Sequence, residues 1–169
     1  MSNLMNFLGF VFEAIEFAIA AHGDQKRKDG VTPYMVHPVG VARLVAEAGC
    51  TDAAALMAAI LHDVVEDTPV TSQEIEARFG ADVSKIVSDL SDDKSLSKAE
   101  RKRLTIEHAA TLRYQSAIVK LADCTYNLRS LDEAPPKWTE ERIEEYRLWL
   151  GRVVDALPLS RGQKSIFHP

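Results

Sequence analysis

Cysteine is scarce: Cys50 and Cys124 are the only two in 169 residues. They make no CxxC pair and no disulfide framework, which excludes a small disulfide-stapled scaffold and points to a reducing compartment. An excess of basic charge is also lacking. Lys and Arg number 20 against 25 Asp and Glu, a formal net charge of −5, and this argues against a broad nucleic-acid-binding surface. No stretch sustains strand-like alternation, and there is no internal repeat or low-complexity tract. The apolar run LMNFLGFVFEAIEFAIAA (4–21) lacks the basic segment of a signal peptide. It contains Glu13 and Glu16, and an acid near a bilayer centre costs roughly 2.5–3.5 kcal/mol. The run is therefore expected as a buried first helix, in a cytoplasmic protein with no membrane partner.

What is present is helical period and helical punctuation. A composition of 46% hydrophobic and 27% charged residues is that of a globular protein able to bury a core. A polar loop, GDQKRKDGVTPY (23–34), follows the first helix. A second helix is predicted from about Pro38 to Glu47, with Gly49 just past its end. Thr51 or Asp52 caps a helix running to about Asp67, and Pro69 stops it. TSQE (71–74) and SKAE (97–100) are capping boxes. The first opens a short helix ended by Gly80, the second a helix toward Arg113. Residues 115–132 and 139–157 read as two more helices joined by EAPPKW (133–138). The expected fold is all-α, a compact single-domain bundle of about seven or eight helices over residues 1–157. The tail 158–169 reads as poorly ordered.

The chemistry concentrates in AAILHDVVEDTP (58–69). Residues 53–61 have no polar face, so this helix should be buried all round. At its end stand His62 and Asp63, with Glu66 and Asp67 four residues beyond each. Residues four apart share a helix face. A core histidine followed by a solvated acidic helix end is the plain structural alternative. Acids at a helix C-terminus oppose the macrodipole, however, and a bound cation removes that conflict. Two further candidates stand apart in sequence. His37 precedes Pro38 in TPYMVHP (32–38), and Asp123 interrupts the apolar helix KLADCTYNL (120–128) with Asn127 one turn on. A salt bridge to Lys120 is the alternative use of Asp123. Two His and two Asp would form a neutral site around a divalent ion with coordination positions left open.

The spaced pattern His37, His62-Asp63, Asp123 resembles that of the HD-domain metal-dependent phosphohydrolases. Three strings, AAHGDQKRKDGVTPYMVHPVGVARLV, ALMAAILHDVVEDT and IVKLADCTYNLRSL, resemble the hydrolase domain of the Rel/Spo alarmone enzymes of the stringent response. SDDKSLSKAERKRL (91–104) and KWTEERIEEYRLW (137–149) are similar to the single-domain small alarmone hydrolases, including the metazoan-type branch. At this length no synthetase or regulatory domain is expected beside the hydrolase. The similarity covers about residues 5–157. Cys124 stands where a long or basic residue is common in the family, and Tyr126 matches the single-domain type.

This resemblance implies hydrolysis of the 3′-pyrophosphate of guanosine 3′-diphosphate 5′-di(tri)phosphate, (p)ppGpp, giving GDP or GTP. It implies His37, His62, Asp63 and Asp123 as ligands of one Mn²⁺, and Glu66 and Asp67 as the catalytic acid–base pair. It places Arg27 against the guanine, with Lys28 nearby, and Arg142 and Tyr146 on phosphates, a helix-surface cation–aromatic pair being the alternative for these two; Asn127, one turn beyond Asp123, can offer both donor and acceptor to ribose or base. A guanidinium stacks well on a planar ring. Lys98, Arg101 and Lys102 read instead as an exposed charged face. His22 is expected to support the loop, and His108 and His168 have no role. The competing readings are removal of the 2′-phosphate of NADPH, a non-catalytic alarmone sensor, and a structural helical adaptor. The expected partner is a small nucleotide, with no nucleic acid. The oligomeric state is not legible.

Overall fold

The computed structural model describes residues 2–165, and His168 lies outside them. Within them the chain forms ten helical segments: α1 Ser2–His22, α2 Val36–Glu47, α3 Ala53–Leu61, α4 Val64–Asp67, α5 Ser72–Phe79, α6 Ala81–Leu90, α7 Lys98–Ala109, α8 Tyr114–Glu133, α9 Glu140–Ala156 and α10 Arg161–Ser165. Among the described residues there is no strand, only an isolated bridge between Lys26 and Pro33. The all-α expectation holds, with more pieces than seven or eight because α4 and α10 are single turns.

The middle of the bundle is α3. Residues Ala55 to Leu61 are all buried, as its unbroken apolar sequence requires. Helices α1, α2, α6 and α8 pack around it. Each large side chain among Leu56, Met57, Ile60 and Leu61 contributes about 1.5–3 kcal/mol by leaving water. Asp52 caps α3, its carboxylate accepting from the N–H groups of Ala54 and Ala55. Thr71 and Glu74 complete a reciprocal capping box on α5. On α7, Ser97 accepts from the Glu100 N–H, but the Glu100 carboxylate turns outward to Arg103, so that box is half made.

Five sequence expectations change. The helix predicted over 52–67 is two pieces, broken at Asp63, whose φ −95°, ψ −7° lies at the edge of the right-handed helical region, toward the bridge region where many active-site residues sit. The helix begun at 97 stops at Ala109, not Arg113. Residues 81–90, unassigned from sequence, form α6 immediately after Gly80, whose φ of +91° lets α5 turn straight into it. The first helix is not buried. It packs mainly on α3 and α4, so only the stripe through Ala14 and Ala18 reaches the core, while Phe12, Met5 and Ile19 are 61%, 67% and 51% exposed. The tail also differs from expectation in its first half: Leu159 is buried in the core and α10 follows it.

Helices α2 and α8 approach closely at Gly40. A Cβ there would lie 2.0 Å from the Tyr126 ring, and Tyr126 in turn packs edge-on to His37 at 5.2 Å. Gly40→Ala is therefore expected to push the ring aside and to lower the melting temperature by roughly 3–10 °C, the effect of about 1–3 kcal/mol of overpacking in a domain this size. A thermal melt checks it, and an unchanged melting temperature would show that the two helices have slack.

Candidate active site

The break after α3 aims the His62–Asp63 pair into a cleft between α2, α4 and α8. His62 caps the C-terminal end of α3, where the helix dipole favours a cation. Its Nδ1–H donates to the Ala59 carbonyl at 2.8 Å, which leaves Nε2 to face the cleft. His37 arrives on the first turn of α2, fully buried, with its Nε2 3.2 Å from that of His62. From the middle of α8, Asp123 Oδ1 comes within 3.2 Å of His37 Nε2 and 3.8 Å of His62 Nε2. Asp63 Oδ2 lies 3.5 Å and 3.1 Å from the same two nitrogens. Donor atoms of His37, His62 and Asp123, from three separated sequence motifs, thus lie within 4.8 Å of one another, and Asp63 approaches both histidines beside them.

The donor set fits a divalent cation. Bonds of about 2.1 Å to one ion put neighbouring ligand atoms roughly 3.0–3.4 Å apart, close to the spacings seen here. Imidazole and carboxylate together suit a metal of intermediate hardness. The electrostatics demand positive charge as well. Burial opposes a charge on His62, but Asp63 and then Asp123 outweigh it and push its pKa up to about 9. His37 goes the other way: burial lowers it despite the two carboxylates. Burial likewise works against the charge on Asp123, yet the His37 contact, Lys120 and His62 hold its carboxyl well below the usual range. Asp63 is held low by His62, His37 and a hydrogen bond from Tyr34, again against burial. Lys120 Nζ is 3.6 Å from Asp123 Oδ2, so the salt bridge and the histidine contacts use different oxygens of one carboxylate. The His37 Nδ1 is buried without a partner.

Glu66 and Asp67 lie one turn further along the same cleft. Glu66 accepts from the Asp92 N–H at 3.1 Å. Its pKa is raised, first by burial and then by Asp63, with the Asp92 hydrogen bond opposing. Asp67 accepts from the Tyr34 hydroxyl at 3.2 Å and pairs with Lys94. That hydroxyl also reaches Asp63 Oδ2 at 2.5 Å, so Tyr34 bridges the two acidic positions. The Tyr34 ring packs at a tilt against His22, with centroids 4.6 Å apart. Gln25 joins His22 to the Asp67 carbonyl, which is the loop support expected of His22. Cys124, beside Asp123, is buried, and burial pushes its thiol up to about 12, a core residue rather than a nucleophile.

Two cavities that share part of their lining lie at and beside the centre. The metal-side cleft, of about 570 Å³, is lined by both acid pairs and by Lys26, Arg27, Lys28, Lys94, Arg101 and Lys120, among others. The second, of about 280 Å³, is lined by Val36, Tyr126, Leu131, Trp138 and Tyr146, among others. Arg27, Lys28 and Asn127 line both. Arg27 donates to Asn127 Oδ1 at 2.8 Å, and Asn127 donates to Asp123 Oδ1 at 2.7 Å, which ties the shared wall to the centre. Lys28 lies 4.9 Å from the Tyr146 ring and 5.4 Å from Trp138. Desolvation in this concave wall, and then Arg27, lower its pKa. Arg142 is placed elsewhere: it covers Trp138 at 4.1 Å and lines a neighbouring groove with Lys98 and Lys102. The sequence reading missed Tyr34, Lys94 and Trp138. Tyr34 stands three residues before His37 in TPYMVHP, and that nearness was the one available signal.

An all-helical bundle with two buried histidines and two carboxylates converging beside a further acid pair defines a metal-centred hydrolase. Residues 14–148 match the HD domain family model, and the chain belongs to the HD-domain family. It is 50% identical over 161 residues to guanosine-3′,5′-bis(diphosphate) 3′-pyrophosphohydrolase MESH1 of Xenopus tropicalis, covering 94% of this chain and 88% of that one. The human protein of the same name is 49% identical over 150 residues, covering 87% and 84%. A solved structure described as a metazoan ortholog of SpoT that hydrolyses ppGpp superposes with a TM-score of 0.88 at 42% identity, covering 94% of this chain and 91% of that one.

Proposed function

We propose that this chain is a Mn²⁺-dependent cytoplasmic hydrolase that removes the 3′-pyrophosphate of (p)ppGpp, releasing GDP or GTP. The observation that carries this reading is the convergence of the His37, His62, Asp63 and Asp123 donors between an acid pair and an aromatic cleft rimmed by cations. Its relatives at about half identity carry that activity in their names. HD domains are metal-dependent hydrolases, and these four side chains would hold the ion. When bound, the ion supplies Lewis-acid polarisation of a phosphoryl oxygen and acidifies water. Free Cys50 and Cys124 suit a reducing compartment.

In this reading the aromatic cleft takes the guanosine, and Arg27 and Asn127 orient it at the shared wall. Water oxygen bonds to the phosphorus nearest the ribose, and the bond from that phosphorus to the 3′-oxygen breaks. One carboxylate of the Glu66–Asp67 pair takes a proton from the water. The 3′-oxygen gains a proton, and pyrophosphate leaves. Asp67, receiving the Tyr34 hydroxyl and the Lys94 ammonium, is set up as the acceptor. Glu66, with its raised pKa, is the better carrier of a proton for the leaving oxygen. Lys28 and Tyr146 border the nucleoside cleft, and Arg142 serves phosphates on its outer side.

Product analysis tests this: ppGpp should give GDP and pyrophosphate in equal amounts. Orthophosphate from NADPH with no pyrophosphate from ppGpp would favour the 2′-phosphatase reading, and binding without any product would favour a sensor. Arg27→Ala is expected to raise KM for ppGpp roughly 3- to 30-fold, the worth of a partly desolvated cation–ring contact, with metal content unchanged. Steady-state kinetics beside elemental analysis checks it. An unchanged KM would leave Arg27 only the structural role of holding Asn127.

A further inference from the structure

We infer that Arg101 receives the outer phosphate of the departing 3′-pyrophosphate, on the side of the centre away from the nucleoside. This rests on the pyrophosphohydrolase reading and adds a subsite to it. The sequence suggested that Arg101 belongs to an exposed charged face. The structure instead half-buries it, in the first turns of α7, on the wall of the metal-side cleft.

Most cations of this cleft are already engaged. Lys120 faces Asp123, Lys94 pairs with Asp67, Arg27 donates to Asn127, and Lys28 lies against Trp138 and Tyr146. Lys26 is exposed. Arg101 differs from all of them. Its Nε is buried with no hydrogen-bond partner, and among the described residues its guanidinium meets no acceptor or carboxylate. A buried donor left unmade is costly, and such a group in a cleft calls for an explanation. A phosphate supplies one, because the guanidinium fork matches its oxygens in a bidentate pair.

Position selects which phosphate. Arg27, Lys28 and Asn127 border both cavities, whereas Arg101, Lys94, Thr105 and Trp149 border only the metal-side one. With guanosine in the aromatic cleft and the first phosphorus at the centre, the second phosphate extends away from the ribose, toward this wall. The wall is firm. Trp149 Nε1–H donates to the Lys102 carbonyl at 3.1 Å, and the Thr105 hydroxyl reaches both the Arg101 carbonyl and Asp92. A separate groove is lined by Lys98, Lys102 and Arg142, and in this pose it is left to the phosphates on the 5′ side.

The test compares inorganic pyrophosphate with orthophosphate as inhibitors of the metal-loaded full chain, Mn²⁺ being held in excess. Arg101→Gln should weaken pyrophosphate inhibition about 10- to 100-fold, as loss of a charge-assisted pair does, and leave orthophosphate inhibition within about 2-fold. Arg101→Lys should fall between, because it keeps the charge but not the fork. Pyrophosphate should raise the melting temperature of the wild type more than that of Arg101→Gln. Wild-type pyrophosphate inhibition in both variants overturns the subsite. Equal weakening toward both anions also overturns it, as the sign of a general structural role. If Arg101→Gln fails to fold, Arg101→Lys carries the same comparison. If the wild type releases no GDP and pyrophosphate, the function reading fails, while the melting shift with pyrophosphate still decides the place of Arg101.

Discussion

Asp63→Asn is expected to lose the metal and turnover together. The Asp63 carboxylate stands 3.1 Å and 3.5 Å from the two histidine Nε2 atoms, and in the proposed ligand set its charge would balance half of a divalent ion. An amide removes that charge and turns an N–H₂ group toward the cleft or toward the Tyr34 hydroxyl. Turnover should fall about 10³-fold or more, the equivalent of roughly 4 kcal/mol of lost metal stabilisation. The fold should persist, because Asp63 makes no cap to α4 and the buried core of α3 lies behind it. Calorimetric titration with Mn²⁺, beside circular dichroism, checks both halves. A variant that binds Mn²⁺ like the wild type would remove Asp63 from the ligand set.

Glu66→Gln and Asp67→Asn should behave differently. Both side chains lie along the cleft from the donor cluster and are held by other partners, Glu66 by the Asp92 N–H and Asp67 by Tyr34 and Lys94. Each amide keeps the volume and removes the proton-transfer function. Metal and substrate binding should stay within a few-fold, while the single-turnover rate falls about 10²- to 10⁴-fold, the usual contribution of a general acid or base. Binding titrations beside single-turnover measurements resolve the two effects. If both variants lose metal as completely as Asp63→Asn, the acids are ligands. If both keep full activity, they are structural.

The local part of this design was legible in sequence. Caps and breakers act within a few residues, so Asp52, the Thr71–Glu74 box, Gly49 and Pro69 placed helix ends well. The apolar run 53–61 marked the central helix for the same reason. The four candidate ligands stood out because each is a polar group in an apolar or restrained setting. What remained hidden depends on distance along the chain. Tyr34 meets residues 29 and 33 positions away, Lys94 meets one 27 away, and Arg27 meets one 100 away. No periodicity encodes such pairs. Arg101 was misplaced because a charged helix position reads as solvent-facing until the neighbouring wall is known. The first helix misled in the opposite sense: apolar composition made it look buried, but the bundle covers only one of its stripes. The kink at Asp63 was invisible because nothing in AILHDVVED breaks a helix by propensity.

One titration tests the metal-centred mechanism most directly. The chain is freed of metal by chelation, Mn²⁺ is returned in steps, and GDP and pyrophosphate release from ppGpp is followed by anion-exchange chromatography at each step. Turnover should be absent without metal, rise in proportion to bound ion and level off at one ion per chain. A metal-free chain that releases GDP and pyrophosphate at the full rate would contradict a catalytic centre built on His37, His62, Asp63 and Asp123.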